Sequence, residues 1–185
     1  MKRTKNMADE IRTVAVIGGG QGGREIALAA LRAGYRTILE DVSDYRREQA
    51  VAWIANTDAN AKVRLVLARS VEAAVREADL IVEAVADEVE MKIEMFTIFD
   101  KFAKPGAIFA SSSRLVAIAE LAAVTFCPER CIGIRFAFAE AQFDAVELVR
   151  APQTSEGTVA ACREVLRRMG RETTTVVERE FMESR

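Results

Sequence analysis

The chain contains no histidine, and so lacks the side chain that most often carries protons in enzymes near neutral pH. Its three cysteines, Cys127, Cys131 and Cys162, show no C-x-x-C spacing, which favours buried, reduced thiols over a metal site or a disulfide framework. Long apolar runs are absent, so we expect neither a membrane span nor a secretory signal. The 26 basic and 28 acidic residues are interspersed, which argues against a nucleic-acid-binding surface. These absences predict a cytoplasmic protein without a metal centre.

One domain accounts for the length and composition, because 185 residues with 50% hydrophobic residues can form a substantial core. We expect it at residues 11–178, between short tails at 1–10 and 179–185. Runs rich in β-branched residues alternate with helical periodicity, which is typical of an α/β fold with a mostly parallel sheet and helices on both faces. The predicted strands are Thr13–Ile17, Thr37–Leu39, Arg64–Leu67, Leu80–Val85, Ala107–Ala110, Cys131–Phe136, Val146–Val149 and Thr173–Val177. The clearest predicted helices are Gln21–Ala33, Glu88–Phe102 and Ser155–Met169, the first and last of which end at Gly34 and Gly170.

A glycine-rich turn joins the first predicted strand to the first predicted helix. Gly18, Gly20 and Gly23 have the G-x-G-x-x-G spacing. In this pattern the first glycine permits a tight turn, the second lets the backbone approach a pyrophosphate, and the third lets the helix pack against the strand. Because the pattern lies between a strand and a helix, it predicts a dinucleotide-binding fold of the Rossmann type. We expect Gln21 and Gly22 in the same turn to contact the cofactor as well.

An acidic residue follows the second predicted strand. Asp41 lies 23 residues after Gly18, where a carboxylate can accept hydrogen bonds from the adenosine ribose hydroxyls. Its charge repels the 2′-phosphate of NADP, so NAD is the predicted cofactor, although Arg46 and Arg47 could weaken this discrimination. In an alternative interpretation, Glu40 and Asp41 only solvate the end of the strand.

Further segments extend the pattern along nearly the whole chain. They are, in order, Ala78–Val85, Glu90–Phe96, Pro105–Ser111, Ile118–Ala122, Pro128–Arg130 and Val146–Val149. Together with the glycine turn, they resemble the NAD-binding domain of the 3-hydroxyacyl-CoA dehydrogenase family, whose reaction is hydride transfer between a 3-hydroxyacyl-CoA and NAD. The resemblance implies an oxidoreductase of fatty acid metabolism, and it does not extend to the family's C-terminal helical domain.

The resemblance also implies roles for individual residues of the cofactor site. In the family, an acidic residue at the position of Asp87 and a lysine at that of Lys92 approach the nicotinamide ribose. Asp87 is a conservative change from the usual glutamate. Ser112 stands where the family has an asparagine, and we expect it beside the cofactor.

The catalytic positions differ from those of the family. Arg114 stands at the position of the active-site serine and Arg135 at that of the histidine base, while Glu147 keeps the glutamate that orients this histidine. A guanidinium stays protonated in neutral solution and cannot act as the general base, and losing that base costs about 10²- to 10⁴-fold in rate. The chain alone is therefore expected to have weak or absent dehydrogenase activity. A further family asparagine, from the helical domain, falls near Ser184, and only a short segment around Trp53–Lys62 stands in place of the family's coenzyme A-binding helical arm.

Three functions are compatible with these residues. The chain is part of a 3-hydroxyacyl-CoA dehydrogenase acting on a small acyl-CoA, or a non-catalytic NAD(H)-binding sensor or assembly subunit, or an enzyme that binds another, anionic substrate through Arg114 and Arg135. Arg135 and Glu147, a natural bidentate pair, either form a structural ion pair or take part in ligand binding. A cation about 5 Å from the nicotinamide disfavours NAD⁺ by roughly 3 kcal/mol at an effective dielectric constant of about 20, so we expect NADH to bind more tightly. The apolar segments Ile132–Phe138 and Phe143–Val149 are expected to lack cover, which predicts a homodimer.

Overall fold

The computed structural model describes residues 10–136 and 145–178. In this part of the chain the strands are β1 (Thr13–Ile17), β2 (Arg36–Glu40), β3 (Leu65–Leu67), β4 (Leu80–Glu83), β5 (Ile108–Ser111), β6 (Cys131–Phe136), β7 (Ala145–Arg150) and β8 (Glu172–Val177). The α-helices are α1 (Gln21–Arg32), α2 (Asp44–Thr57), α3 (Val71–Val75), α4 (Val89–Phe102), α5 (Ile118–Ala122) and α6 (Glu156–Arg168). Two short 3₁₀ helices lie at Ala61–Arg64 and Pro128–Arg130.

The strands form one sheet in the order β3-β2-β1-β4-β5-β6-β7-β8. Neighbouring strands are parallel except for β6 and β7, which are antiparallel. Parallel neighbours need a crossover of a dozen residues or more, whereas only residues 137–144 separate β6 from β7. The predicted Rossmann-type fold with a mostly parallel sheet is confirmed.

Each predicted strand and helix is present, with ends that differ by at most two residues. The largest difference is in β4, which ends at Glu83 rather than at Val85. The Val85 amide donates a hydrogen bond to the Glu83 carboxylate over 2.7 Å. This amide is therefore bonded to a side chain and not to a neighbouring strand of the sheet. Gly34 and Gly170 lie two residues beyond α1 and α6 and have positive φ angles, as expected for helix ends. The segment Trp53–Lys62 forms the end of α2 and part of the following 3₁₀ helix.

Helices cover both faces of the sheet, and an apolar cluster is buried on each side. On one face α1, α2 and α6 contribute residues such as Ile26, Ile54 and Val165. On the other face Phe99 of α4 and Leu121 of α5 are fully buried, with α3 packed beside α4. Burial on both faces explains why the central parallel strands β1, β4 and β5 read as nearly continuous apolar runs.

The large apolar side chains of the two segments that were expected to lack cover are buried wherever the structure describes them. In β6, Ile132 and Ile134 are at most 1% exposed, and in β7, Val146 and Leu148 are fully buried. The reason is that α6 packs against both strands. The argument for a homodimer from these residues is therefore wrong, while residues 137–144 lie outside the described part and the homodimer itself stays a prediction.

The three cysteines are buried and form no disulfide. Burial raises the pKa of Cys131 and of Cys162 to about 12, so both thiols stay protonated at neutral pH. Within residues 10–136 and 145–178, no group of side chains is suited to hold a metal ion. No helix in the same ranges has the length and apolar character needed to cross a membrane.

Candidate functional site

The strand order produces a topological switch point beside β1, where open α/β sheets have a crevice at the carboxyl ends of their strands. The chain places β2 and β3 on one side of β1 and places β4, β5 and β6 on the other. The connections that leave these strands diverge there, and ligands of open α/β sheets bind in the opening between them. The predicted site residues follow this edge: the glycines after β1, Asp41 after β2, Asp87 after β4, Ser112 and Arg114 after β5, Arg135 in β6 and Glu147 in β7.

The glycine loop, residues 18–23, has two positions that the fold requires to be glycine. Gly18 has a φ of 113°, and a Cβ on it would lie 2.5 Å from the carbonyl oxygen of Ala84. A Cβ on Gly23 would overlap the carbonyl oxygen of Gly18, where α1 passes close to the end of β1. At Gly20, by contrast, no described atom lies within 4 Å of the Cβ position. The loop therefore leaves open space at Gly20, where the sequence predicts the pyrophosphate.

Helix α1 begins directly behind this space. Gly20 is its N-cap and offers no capping side chain, and the first turn contains no acidic residue. The first amides of a helix have no partner within the helix, and with the positive end of its dipole they suit a phosphate group. Gln21 turns its side-chain amide towards Glu25 over 3.3 Å. The expected contribution of Gln21 and Gly22 to cofactor binding is therefore through their backbone amides.

Asp41 links the glycine loop to the end of β2. One carboxylate oxygen accepts a hydrogen bond from the Gly19 amide over 2.8 Å, and the other accepts one from the Ser43 amide over 2.8 Å. A carboxylate has about four acceptor positions, so these two bonds leave capacity for ribose hydroxyls. Arg47 donates to the backbone carbonyl of Asp41 and to the carboxylate of Asp44, and so does not contact the Asp41 carboxylate.

The alternative interpretation of Glu40 and Asp41 as a solvated strand end is wrong, since each is only 5% exposed. Burial, together with the neighbouring charge of Asp41, raises the pKa of Glu40 to about 6. The charge of Glu72 also contributes to this increase in pKa, and Arg47 partly opposes it. The end of β2 thus has one carboxylate fixed by backbone amides, Asp41, and a second that is costly to ionise, Glu40.

Glu83, at the end of β4, is a site residue that the sequence interpretation missed. Its fully buried carboxylate accepts hydrogen bonds from Lys92 Nζ over 2.7 Å and from Ser111 Oγ over 2.6 Å. With the Val85 amide, these contacts join the connection after β4, helix α4 and the end of β5. The available signal was a single acid directly after the apolar residues 80–82, nine residues before a lysine.

Asp87 lies at the open side of this buried pair. Its carboxylate is 3.5 Å from Lys92 Nζ and accepts hydrogen bonds from the Ser113 hydroxyl and, over 3.3 Å, from the Arg114 amide. Burial opposes ionisation of Asp87, but these hydrogen bonds and Lys92 outweigh it and lower its pKa. The structure thus brings Asp87 and Lys92 together, as the resemblance implied. Ser112 lies next to them, half-buried, with its amide bonded to the Glu83 carbonyl over 2.9 Å.

Arg114 and Arg135, called here the arginine pair, make reciprocal hydrogen bonds between the ends of β5 and β6. Arg114 Nη2 donates to the Phe136 carbonyl over 2.8 Å, and Arg135 Nε donates to the Ser113 carbonyl over 2.9 Å. Arg135 also faces Glu147 on β7, with 3.4 Å between Nη1 and Oε2. This is a single contact, so the expectation of a bidentate pair is wrong. The Nε–H of Arg135 donates to the Ser113 carbonyl and is therefore not available for a side-on bidentate contact with Glu147.

Comparisons with known proteins agree with this geometry. The model of the family described as 3-hydroxyacyl-CoA dehydrogenase, NAD binding domain, matches residues 13–180. A 3-hydroxybutyryl-CoA dehydrogenase of Bradyrhizobium diazoefficiens is 33% identical over 180 residues, covering 90% of this chain and 61% of the relative. A probable 3-hydroxybutyryl-CoA dehydrogenase of Bacillus subtilis is 30% identical over 176 residues, with 88% and 61% covered. The crystal structure of an (S)-3-hydroxybutyryl-CoA dehydrogenase from Ralstonia eutropha has a TM-score of 0.86 and 28% identity, over 91% of this chain and 64% of that one.

The chain spans 61% of the length of each of these two sequence relatives. The family match confirms the resemblance, and with it NAD as the cofactor of the matched domain. The roles of individual side chains stay predictions. Ser184 lies outside the described residues.

Proposed function

We propose, since the chain belongs to the 3-hydroxyacyl-CoA dehydrogenase family and matches its NAD-binding domain, that it binds NAD(H) in the crevice beside β1. The observation that carries this proposal is the open space at Gly20, directly in front of the first turn of α1. The packing of the protein explains the glycines at positions 18 and 23 but not the one at position 20. A phosphate group lying against the backbone explains Gly20.

The residues divide the cofactor between two ends of the crevice. The amides at the start of α1 bind the pyrophosphate, and Asp41 accepts hydrogen bonds from the adenosine ribose. Asp87 and Lys92 contact the nicotinamide ribose, and the half-buried Ser112 lies beside them. When bound, NAD supplies a nicotinamide ring that accepts or returns a hydride.

The family reaction, hydride transfer between a 3-hydroxyacyl-CoA and NAD, is proposed to be weak or absent in this chain alone. Arg114 and Arg135 stand where the family has its serine and its histidine base, and each guanidinium donates hydrogen bonds without taking up a proton at neutral pH. Glu147 faces Arg135 over 3.4 Å and so has no histidine to orient. Loss of the base alone costs about 10²- to 10⁴-fold in rate.

A second candidate function is a non-catalytic NAD(H)-binding sensor or assembly subunit. The reciprocal hydrogen bonds of the arginine pair favour this candidate, because each guanidinium donates to a backbone carbonyl at the end of the neighbouring strand. These are structural contacts that need no substrate. Tight NADH binding without turnover of 3-hydroxybutyryl-CoA and NAD⁺ supports this candidate. Turnover by the wild-type chain contradicts it.

Several finer features belong to the same proposal. The names of the relatives support a role in acyl-CoA and fatty acid metabolism, with a small acyl-CoA or another anionic compound as substrate. We place the protein in the cytoplasm as a homodimer whose folded domain covers residues 11–178. Light scattering at micromolar concentration tests the dimer, and a monomer there contradicts it.

Calorimetric titration with NADH, NAD⁺ and NADPH tests cofactor binding. We expect micromolar NADH affinity, weaker NAD⁺ binding because no described carboxylate pairs with the Arg114 guanidinium, and weaker NADPH binding because of Asp41. Gly20→Ala should keep the melting temperature but lose about 10- to 100-fold in NADH affinity, since its methyl group fills the phosphate space. Asp41→Asn should narrow the gap between NADH and NADPH. No binding of any nucleotide, or a Gly20→Ala variant with unchanged affinity, contradicts the proposal.

A further inference from the structure

The arginine pair has donor capacity that the described protein does not use. Each guanidinium has five N–H groups. Arg114 uses Nη2 for the Phe136 carbonyl, and Arg135 uses Nε for the Ser113 carbonyl and Nη1 for Glu147. The remaining N–H groups belong to two side chains at the carboxyl ends of the adjacent strands β5 and β6. Each side chain is held by a hydrogen bond to a backbone carbonyl at the end of the other strand.

The charge around the pair is unevenly distributed. Arg135 has Glu147 as a carboxylate partner, whereas Arg114 has only a backbone carbonyl among the described residues. The nearby Asp87 carboxylate contacts the Arg114 amide, but its charged partner is Lys92. Within residues 10–136 and 145–178, Arg114 is thus a cation without a paired carboxylate at the edge of the crevice.

We propose that Arg114 and Arg135 together bind the carboxylate group of a small organic acid. The proposal rests on the proposed function in one respect, because it places this acid beside the nicotinamide end of the cofactor. A planar carboxylate matches the fork of a guanidinium and forms short, charge-assisted hydrogen bonds with it. The free acid, rather than a thioester of coenzyme A, is then the ligand that this chain recognises at the changed reaction positions.

A singly charged acid fits better than a phosphate dianion. Among the residues that the structure describes, the network contains three cations, Lys92, Arg114 and Arg135, and three carboxylates, Glu83, Asp87 and Glu147. These charges sum to zero, so each additional negative charge on a ligand meets increasing repulsion from the carboxylates. A monocarboxylate pairs with the Arg114 guanidinium, which has no carboxylate partner in the described part of the chain, without adding a second charge.

Binding of the acid is coupled to the redox state of the cofactor. The ring of NAD⁺ carries a positive charge that the ring of NADH lacks, and a bound carboxylate nearby attracts that charge. The acid should therefore bind more tightly in the presence of NAD⁺ than of NADH, and by linkage it should tighten NAD⁺ binding by the same factor.

Butyrate tests the proposal, because it has the charge of the ligand class but no hydroxyl or oxo group to react. Butyramide has the same shape without the charge, and inorganic phosphate is the competing oxyanion. Each is titrated calorimetrically into the full chain, without nucleotide, with NADH and with NAD⁺. We expect butyrate to bind at about millimolar Kd or tighter, butyramide at least tenfold more weakly, and phosphate more weakly than butyrate.

Arg114→Gln and Arg135→Gln should each weaken butyrate binding by about 10- to 100-fold. Arg36→Gln is the matched control, because it removes one guanidinium at the opposite end of the strands, where Arg36 pairs with Glu77 over 2.8 Å. Equal binding of butyrate and butyramide, tighter binding of phosphate, or an equal effect of Arg36→Gln overturns the proposal. The titration without nucleotide tests the arginine pair even if no nucleotide binds, so failure of the cofactor proposal is recognised separately.

Discussion

The two ends of the candidate site are built from different kinds of contact. At the glycine loop, close backbone contacts determine the conformation of the chain, since side chains at residues 18 and 23 would collide with carbonyl groups. At the arginine pair, the contacts are made by side chains, which donate hydrogen bonds to backbone carbonyls and to Glu147, a residue whose side chain is 39% exposed. An end built from backbone contacts tolerates little change, whereas an end built from side chains can change its chemistry while the sheet stays intact. In the proposed function, this difference allows the cofactor end to persist beside altered reaction positions.

The largest effect is expected at Gly23. Gly23→Ala places a methyl group onto the carbonyl oxygen of Gly18. Neither the methyl group nor the carbonyl group can move without moving the backbone, so we expect a loss of roughly 4 kcal/mol or more in the free energy of unfolding. Urea denaturation followed by circular dichroism measures it. Gly20→Ala is the matched control and should cost less than about 1 kcal/mol. Similar losses in both variants would mean that the loop is not set by backbone contacts as described.

The buried pair between the two ends should come next. Lys92→Met leaves the fully buried Glu83 carboxylate without its cation, which should cost about 3–5 kcal/mol in the free energy of unfolding. Lys101→Met, at an exposed position of the same helix, is the control and should cost less than about 1 kcal/mol. Glu83→Gln combined with Lys92→Met should recover part of the loss, because no unpaired charge is then buried. A double variant less stable than Lys92→Met contradicts this explanation.

A smaller, pH-dependent effect is expected from Glu40. Its pKa is raised from 4.5 to about 6 in the folded protein, so the folded state holds its proton more tightly than the unfolded state does. The contribution of this group to stability is therefore greatest below pH 4.5 and declines as the pH rises to about 6. Glu40→Gln removes the cost of ionisation and should stabilise the protein by about 1–2 kcal/mol at pH 7 but not at about pH 4. Urea denaturation at both pH values measures this, and an equal gain at both contradicts the assignment.

Most of the fold could be predicted because the signals are local. Apolar runs rich in β-branched residues located all eight strands, and the glycine spacing located the turn between β1 and α1. The pairing order of the strands is not encoded in those runs. The antiparallel direction of β7 was nevertheless open to prediction, since residues 137–144 are too few for a parallel crossover.

The site was less predictable where contacts depend on side-chain positions. The position of Asp41 beside the glycine loop could be predicted, because its distance from Gly18 follows from the length of one helix and one strand; its role towards the cofactor stays a prediction. Glu83 was missed because no spacing rule links it to Ser111, 28 residues away. The reciprocal bonds of Arg114 and Arg135 depend on the rotamers of two long side chains from different connections, and these are not encoded in residue spacing.

The smallest effect on stability is expected at Glu147. Its contact with Arg135 is a single one at 3.4 Å between side chains that are 39% and 23% exposed, and partly exposed ion pairs of this kind contribute about 0.2–1 kcal/mol. Glu147→Gln should therefore change the free energy of unfolding by less than about 1 kcal/mol, while it frees Arg135 and strengthens butyrate binding. Glu156→Gln, which removes a mostly exposed carboxylate paired with Arg150, is the control and should leave butyrate binding unchanged. A loss of several kcal/mol in the free energy of unfolding of Glu147→Gln would show that the arginine end is as tightly constrained as the glycine loop. A partly exposed ion pair cannot account for a loss of that size, so the contact would have to be essential for the packing of the sheet.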